Sequence, residues 1–232
     1  MAKIGIMGAM VEEIEPLLEY FGKYEIIEFA ANKFYKVTLG EDELFIAYSK
    51  IGKVFASLTA SSLIMKFGCE KILFSGVAGA VSSELKVGDL IVANKLCQHD
   101  LDITAFGHPF GFVPEGAVFE QTSEDLLQVA KNVANELNVD LKIGAIATGD
   151  QFVASTQRKD FIAQEFKADA LEMEGASVAV VCNRLNVPFL ILRSISDAAD
   201  MDASFDFDEF LKSSSKKSAN FIKNIIFKIL EK

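Results

Sequence analysis

The chain has 232 residues, half of them hydrophobic and 24% charged, enough to bury one large α/β core or two small ones. A formal net charge of -10 excludes a general nucleic-acid backbone binder, which needs clustered Lys and Arg. Cys69, Cys97 and Cys182 stand at unrelated spacings in apolar settings, the pattern of buried thiols in a reduced, cytoplasmic protein. No run reaches the about 18 apolar residues of a membrane span, so no membrane partner is expected.

"KIGIM" reads as a buried strand ended by Gly8 rather than as a signal peptide, and "AMVEEIEPLLEYF" follows at helical spacing. Residues 23–52 alternate in short runs broken by Ala-Asn and Gly-Glu-Asp, which predicts strands joined by tight turns. "KVFASLTASSLIMKFG" predicts a helix capped at Gly68, and "KILFSGVAGAV" a strand running into a glycine-bearing turn. "DLIVANKLCQHDLDI" is a further strand region, and residues 106–117, "FGHPFGFVPEGA", form an aromatic loop. Ser123 is placed to cap an amphipathic helix in "SEDLLQVAKNVANEL". "LKIGAIATGD", "ADALEM" and "PFLILRSISD" read as strands, alternating with helices in "TQRKDFIAQEF" and "EGASVAVVCNRL", and residues 206–232 as one long helix. With no linker and no repeat, the alternation predicts a single α/β domain over residues 1–232, three layers deep, with helices on both faces of a central sheet.

In open α/β sheets the ligand sits beyond the carboxyl ends of the strands, so the residues delivered there are the candidate site. The first strand brings Ala9, Met10, Glu12 and Glu13; the "ILFSG" strand brings Gly76, Val77, Ala78 and Gly79; "AIATGD" brings Gly149, Asp150 and Phe152. "ADALEM" brings Glu172, Met173 and Glu174, and "LILRSISD" brings Arg193, Ser194, Ser196 and Asp197. "GIMGAM" and "SGVAGA" are not GxGxxG, and there is no P-loop, no HExxH, no Cys/His cluster and no GxSxG with a partner histidine. Neither a cofactor nor a metal is expected, and what remains is acid chemistry. Glu13, Glu174 and Asp197 come from distant segments, and a buried set of carboxylates suits cleavage of a glycosidic bond. Such cleavage needs an acid for the leaving group, a base for water and a negative field for a cationic sugar. Plainer roles stand beside these. Glu12 and Glu13 suit a helix dipole, Asp197 a cap, Arg193 a buried ion pair, and Phe152, Phe207 and Met173 a core.

"KIGIMGAMVEEI", "SKIGKV", "SGVAGAV", "LKVGDLIV", "HDLDITAFG", "TGDQFV", "LEMEGASVA", "VPFLILRSISDAAD" and "FDEFL" together resemble the 5'-methylthioadenosine/S-adenosylhomocysteine nucleosidases. These belong to the nucleoside phosphorylase superfamily. The resemblance runs in order from residue 3 to about residue 211. It implies a nucleoside phosphorylase-like fold with a mixed central sheet, and a homodimer that hydrolyses the adenine–ribose bond of both nucleosides. By that resemblance Glu13 activates water, and Asp197, held by Ser196, protonates N7 of adenine. Glu174 binds the ribose hydroxyls with Met173 against the sugar. Phe152 stacks on adenine and the Val153 backbone pairs with its edge. Ala78 and Gly79 admit the ligand close to the backbone, Arg193 orders the acid network, and Ile51 and Phe207 line the sulfur-side pocket. Ile103, Phe106 and Pro114 resemble positions that reach into the neighbouring subunit's site. Glu172 is read as a carboxylate behind the ligand that holds water or Arg193.

Val77 stands where many members carry Ser, and some relatives also cleave 6-amino-6-deoxyfutalosine in a menaquinone pathway. Two rivals are a phosphorylase, which needs cations where "GAMVEE" offers acids, and a noncatalytic nucleoside sensor, which has no use for Glu13 and Asp197 together.

Overall fold

Ten strands and six α-helices follow one another in a computed structural model that describes residues 1–199 and 203–231. Asp200, at the end of the "RSISDAAD" match, and Lys232, the expected end of the last helix, lie outside the described residues. The order is β1 (Lys3–Gly8), α1 (Val11–Phe21), β2 (Glu25–Phe29), β3 (Asn32–Leu39), β4 (Asp42–Tyr48) and α2 (Lys53–Met65). Then come β5 (Lys71–Ala80), β6 (Leu90–Gln98), β7 (Phe119–Gln121), α3 (Glu124–Leu137), β8 (Leu141–Thr148) and α4 (Thr156–Phe166). The chain ends with β9 (Ala170–Glu172), α5 (Gly175–Arg184), β10 (Phe189–Asp197) and α6 (Ala203–Leu230). The three-residue β7 had no signal in the sequence, and α6 begins three residues before the expected Asp206.

The sheet is mixed, as expected, and part of it closes on itself. β5 pairs with β10, β10 with β6, β6 with β8, β8 with β9, and β9 with β5 again, while β1, β4, β3 and β2 continue outward from β5. Register shifts at Ile195/Asp197 and at Ala93/Lys95 bend the two long strands that the ring requires. The closure corrects the expectation that every strand end meets on the rim of an open sheet. β1, β5 and β10 run parallel, but β9 runs antiparallel to β5, with Leu171 opposite Gly79 and Ala170 opposite Ala80. Glu172 is thereby carried back along β5 instead of arriving at its end.

Helices cover both faces. Ala56, Ala60 and Leu63 of α2 pack with Ala176, Ala179 and Cys182 of α5 on one side, their small side chains letting the two helices approach. Ile14 and Leu17 of α1, Ala130 of α3 and Ile222, Ile225 and Ile226 of α6 cover the other. Ile162 and Phe166 of α4 form a smaller cluster with Val153 and Leu171. All three cysteines are buried and free, and burial pushes each thiol up to about 12, so they are unreactive packing groups.

The expected glycine turn after "ILFSG" is not a turn: β5 runs straight through Gly76 and Gly79 to Ala80. The reason is spatial. A Cβ at Gly76 would stand 2.7 Å from Glu13 Oε1, and one at Gly79 would stand 2.7 Å from Asp197 Oδ1. These glycines leave room for two carboxylates pressed against the strand.

Candidate active site

One cavity of about 270 Å³ opens where β1, β5, β9 and β10 meet. Its wall includes Ala9, Met10, Glu13, Ile51, Ala78, Gly79, Phe152, Val153, Glu172, Met173, Glu174, Ser196, Asp197 and Phe207, all named from the sequence. Val77, Gln151 and Leu171 also line it. Val77 was named both among the residues of its strand end and as a departure from the family, and the other two sit beside motif residues with no chemical signal of their own. Arg193 does not reach the wall but lies beneath it, 1% exposed. Ile103, Phe106 and Pro114 do not line this cavity; Phe106 is 81% exposed at the end of a short 3-10 helix, Thr104–Phe106.

Glu13 sits in the first turn of α1 and turns back toward the strand that precedes it. Its Oε2 accepts the amides of Ala9 (2.5 Å) and Met10 (3.0 Å), and its Oε1 accepts that of Val77 (2.9 Å). The helix-start acid and the site acid are therefore one residue, fixed by two amides that follow β1 and one from within β5. Burial raises its pKa, opposed by Arg193 and by the amide donors. Asp197 accepts Ser196 Oγ on Oδ2 (2.9 Å) and the Ala199 amide on Oδ1 (2.9 Å).

The two acids of "LEMEG" have separated roles. Glu172 is spent on the protein. It accepts the Gly175 amide on both oxygens (2.9 and 2.7 Å), Arg193 Nη2 on Oε2 (2.5 Å) and the Thr148 hydroxyl. It therefore caps α5 from outside while neutralising a buried arginine, whose plane also lies 4.1 Å from the Phe74 centroid. Glu174, the residue before α5, accepts the Gly52 amide on Oε1 at 2.8 Å. Burial first and the neighbouring Glu172 second push its carboxyl up to about 8. Glu13, Glu172, Glu174 and Asp197 are all buried, and the cavity shares the single guanidinium of Arg193. Glu172 takes up that guanidinium, burial favours the protonated forms of Glu13 and Glu174, and among the described residues no cation lines the cavity to hold an anion.

Above the acids the wall is apolar. Phe152, half exposed, meets Phe207 edge to face at 5.6 Å, and the two rings line the cavity together with Met173 and Ile51. Residues 3–226 match the model of the phosphorylase superfamily. Over 225 residues the chain is 55% identical to an aminodeoxyfutalosine nucleosidase of Helicobacter pylori, covering 97% of each. Over 224 residues it is 36% identical to a 5'-methylthioadenosine/S-adenosylhomocysteine nucleosidase of Staphylococcus haemolyticus, covering 96% of this chain and 98% of that one. The solved structure of a futalosine hydrolase mutant of Helicobacter pylori superposes with a TM-score of 0.97 at 54% identity, over 98% of this chain and 99% of that one. The chain belongs to the phosphorylase superfamily and, within it, to the N-glycosyl hydrolases of the 5'-methylthioadenosine/S-adenosylhomocysteine nucleosidase family.

Proposed function

We propose that this cavity hydrolyses the N-glycosidic bond of 5'-methylthioadenosine and S-adenosylhomocysteine, releasing adenine and the thioribose product, and also cleaves 6-amino-6-deoxyfutalosine. The observation that carries the reading is the convergence of Glu13, Glu174 and Asp197, from three distant segments, on one apolar-roofed cavity. The higher identity to an aminodeoxyfutalosine nucleosidase supports the third substrate, and with it a place in menaquinone synthesis beside methionine salvage.

In this reading adenine lies against Phe152, with the Val153 backbone on its edge. Asp197, held by Ser196, gives its proton to N7 as the bond to the sugar lengthens. The sugar becomes an oxocarbenium ion, stabilised by the fixed anions below it, and Glu174 holds its hydroxyls. Glu13, whose raised pKa makes it a stronger base than a surface glutamate, takes a proton from the attacking water. Arg193 orders the acids through Glu172 without touching the substrate.

Electrostatics favours water over phosphate as the nucleophile. Among the described residues no Lys, Arg or His lines the cavity, so nothing there would hold a dianion. Adenine release from 5'-methylthioadenosine should proceed unchanged in phosphate-free buffer, with free sugar as product. A phosphate-dependent rate giving a sugar 1-phosphate would overturn the reading. Asp197→Asn should lower adenine release by about 10³-fold or more while still binding nucleoside, since it keeps shape and loses the proton donor.

The whole chain is taken as a single nucleosidase domain acting as a cytoplasmic homodimer. Support for the dimer comes from the loop carrying Ile103, Phe106 and Pro114, which is absent from its own cavity, and from Val54, Phe55 and Leu58 exposed on α2. Sedimentation should give twice the chain mass. Phe106→Asp should shift it toward monomer and raise KM, and a wild type that sediments as a monomer would refute the dimer.

A further inference from the structure

The start of α2 has no capping side chain of its own: the residue before it is Gly52, with φ near 100°. Its first two amides go to acids from other parts of the chain. The Gly52 amide donates to Glu174 Oε1 (2.8 Å), and the Lys53 amide donates to Asp150 Oδ1 (2.8 Å). The Lys53 side chain then crosses to the end of β6. Its Nζ lies 2.7 Å from Asp100 Oδ1 and 3.1 Å from Gln98 Oε1. Asp100 closes the circuit, because its other oxygen accepts the Asp150 amide at 2.8 Å. Even the Lys53 carbonyl is engaged, accepting Ser177 Oγ from α5 at 3.2 Å. One residue thus ties together the start of α2, the ends of β6 and β8, and the first turn of α5.

Resting on the reading of Glu174 as the sugar-binding acid, we propose that Lys53 is a positioning residue for it, working through a clasp with Asp100 and Asp150. Glu174 needs one oxygen fixed so that the other faces the ribose hydroxyls, and the donor that fixes it is the Gly52 amide. That amide is held at the head of α2 by the groups on Lys53, the next residue. Lys53 and Asp100 are only partly exposed, with side chains 18% and 15% accessible, so their pairing is screened less than a surface ion pair. A second consequence concerns Gly52. A Cβ there would meet Asp150 Oδ1 at 3.0 Å, so the clasp requires glycine at this position for space as well as for its φ.

The test is kinetic, with adenine as internal control because it carries no sugar. In Lys53→Met and Asp100→Asn, KM for 5'-methylthioadenosine should rise about tenfold or more, the scale of one misplaced hydrogen bond to a charged group. The inhibition constant of free adenine should stay within about twofold, since Phe152 and Asp197 are not in the clasp. Lys53→Arg, which restores the charge, should recover part of the loss. Substrate and adenine affinities falling together in all three variants would reduce Lys53 to a general support of the fold, and unchanged KM would dismiss the clasp. A wild-type protein that releases no adenine would sink the reading of function beneath it; an active wild type matched by its variants would sink the clasp alone.

Discussion

Gly76 shows how the sequence wrote part of its chemistry into residues without side chains. Its missing Cβ is the space in which Glu13 Oε1 stands, and the same absence at Gly79 accommodates Asp197. Gly76→Ala should leave the fold intact, since its backbone does not need φ > 0. It should displace the Glu13 carboxylate and lower kcat by about 10²-fold, the penalty typical of a 1 Å misplacement. A variant with normal kcat would show that the carboxylate can shift without consequence. The acids that line the cavity were legible at this scale as candidates: Glu13, Glu174 and Asp197 were selected at strand ends, with plainer roles weighed for Glu13 and Asp197, before any fold was known. Their partners were not legible. Only Glu172 had a partner proposed, water or Arg193, and it is Arg193; Gly52 donating to Glu174 pairs residues 122 positions apart, and spacing says nothing about such a meeting.

Elements were legible wherever periodicity was local, and less so where tertiary contacts decided the outcome. The helices α1, α2, α3 and α5 follow their apolar patterns, but Ser123, well placed to cap α3, turns its hydroxyl instead to the Phe189 amide (3.0 Å) and locks α3 to β10. β9 keeps only Ala170–Glu172 of the "ADALEM" run read as strand, losing Ala168 and Asp169 at one end and Met173 at the other. The hairpin between β2 and β3 was read from Ala-Asn, yet its two turn residues are Ala30 and Ala31, both with φ > 0 (50° and 55°). Two-residue turns with that geometry favour Asn-Gly, and alanine pays a steric penalty there that glycine does not. Ala31→Gly should therefore stabilise the protein by about 0.5–1 kcal/mol, less what glycine gains in unfolded-chain entropy, and Ala30→Asn by a similar amount. Thermal unfolding of both variants checks this, and a lower Tm in both would show that the turn is not strained.

For the whole molecule, the layers and the mixed sheet followed from alternating strands and helices, whereas ring closure could not, because it depends on β10 pairing with both β5 and β6. Closure buries four acids around one arginine, and that has a consequence for stability against pH. Glu174 has its pKa raised to about 8 from 4.5, and that of Glu13 is raised as well. Between 4.5 and 8 the folded state keeps a proton that the unfolded state has released, so stability falls as pH rises, by up to ~1.4 kcal/mol per pH unit for one full proton. His99 acts oppositely. Burial, then Arg158, lowers its pKa to about 4 from 6.5, so between those values the unfolded state binds the extra proton and stability rises with pH. The two slopes offset each other up to pH 6.5, and above it the acids act without opposition. Because Glu13 adds to Glu174 while His99 opposes them only below pH 6.5, stability should decline more gently on the acid side of neutrality than from about pH 6.5 to 8. Urea unfolding of wild type and Glu174→Gln across this range decides the matter. The variant should lose most of the decline above pH 6.5 because its neutral side chain has no proton to release, while an unchanged decline would place the titrating group elsewhere. His99→Gln should complement it by uncovering a downward slope below pH 6.5, so that the two variants assign the two arms of the profile independently.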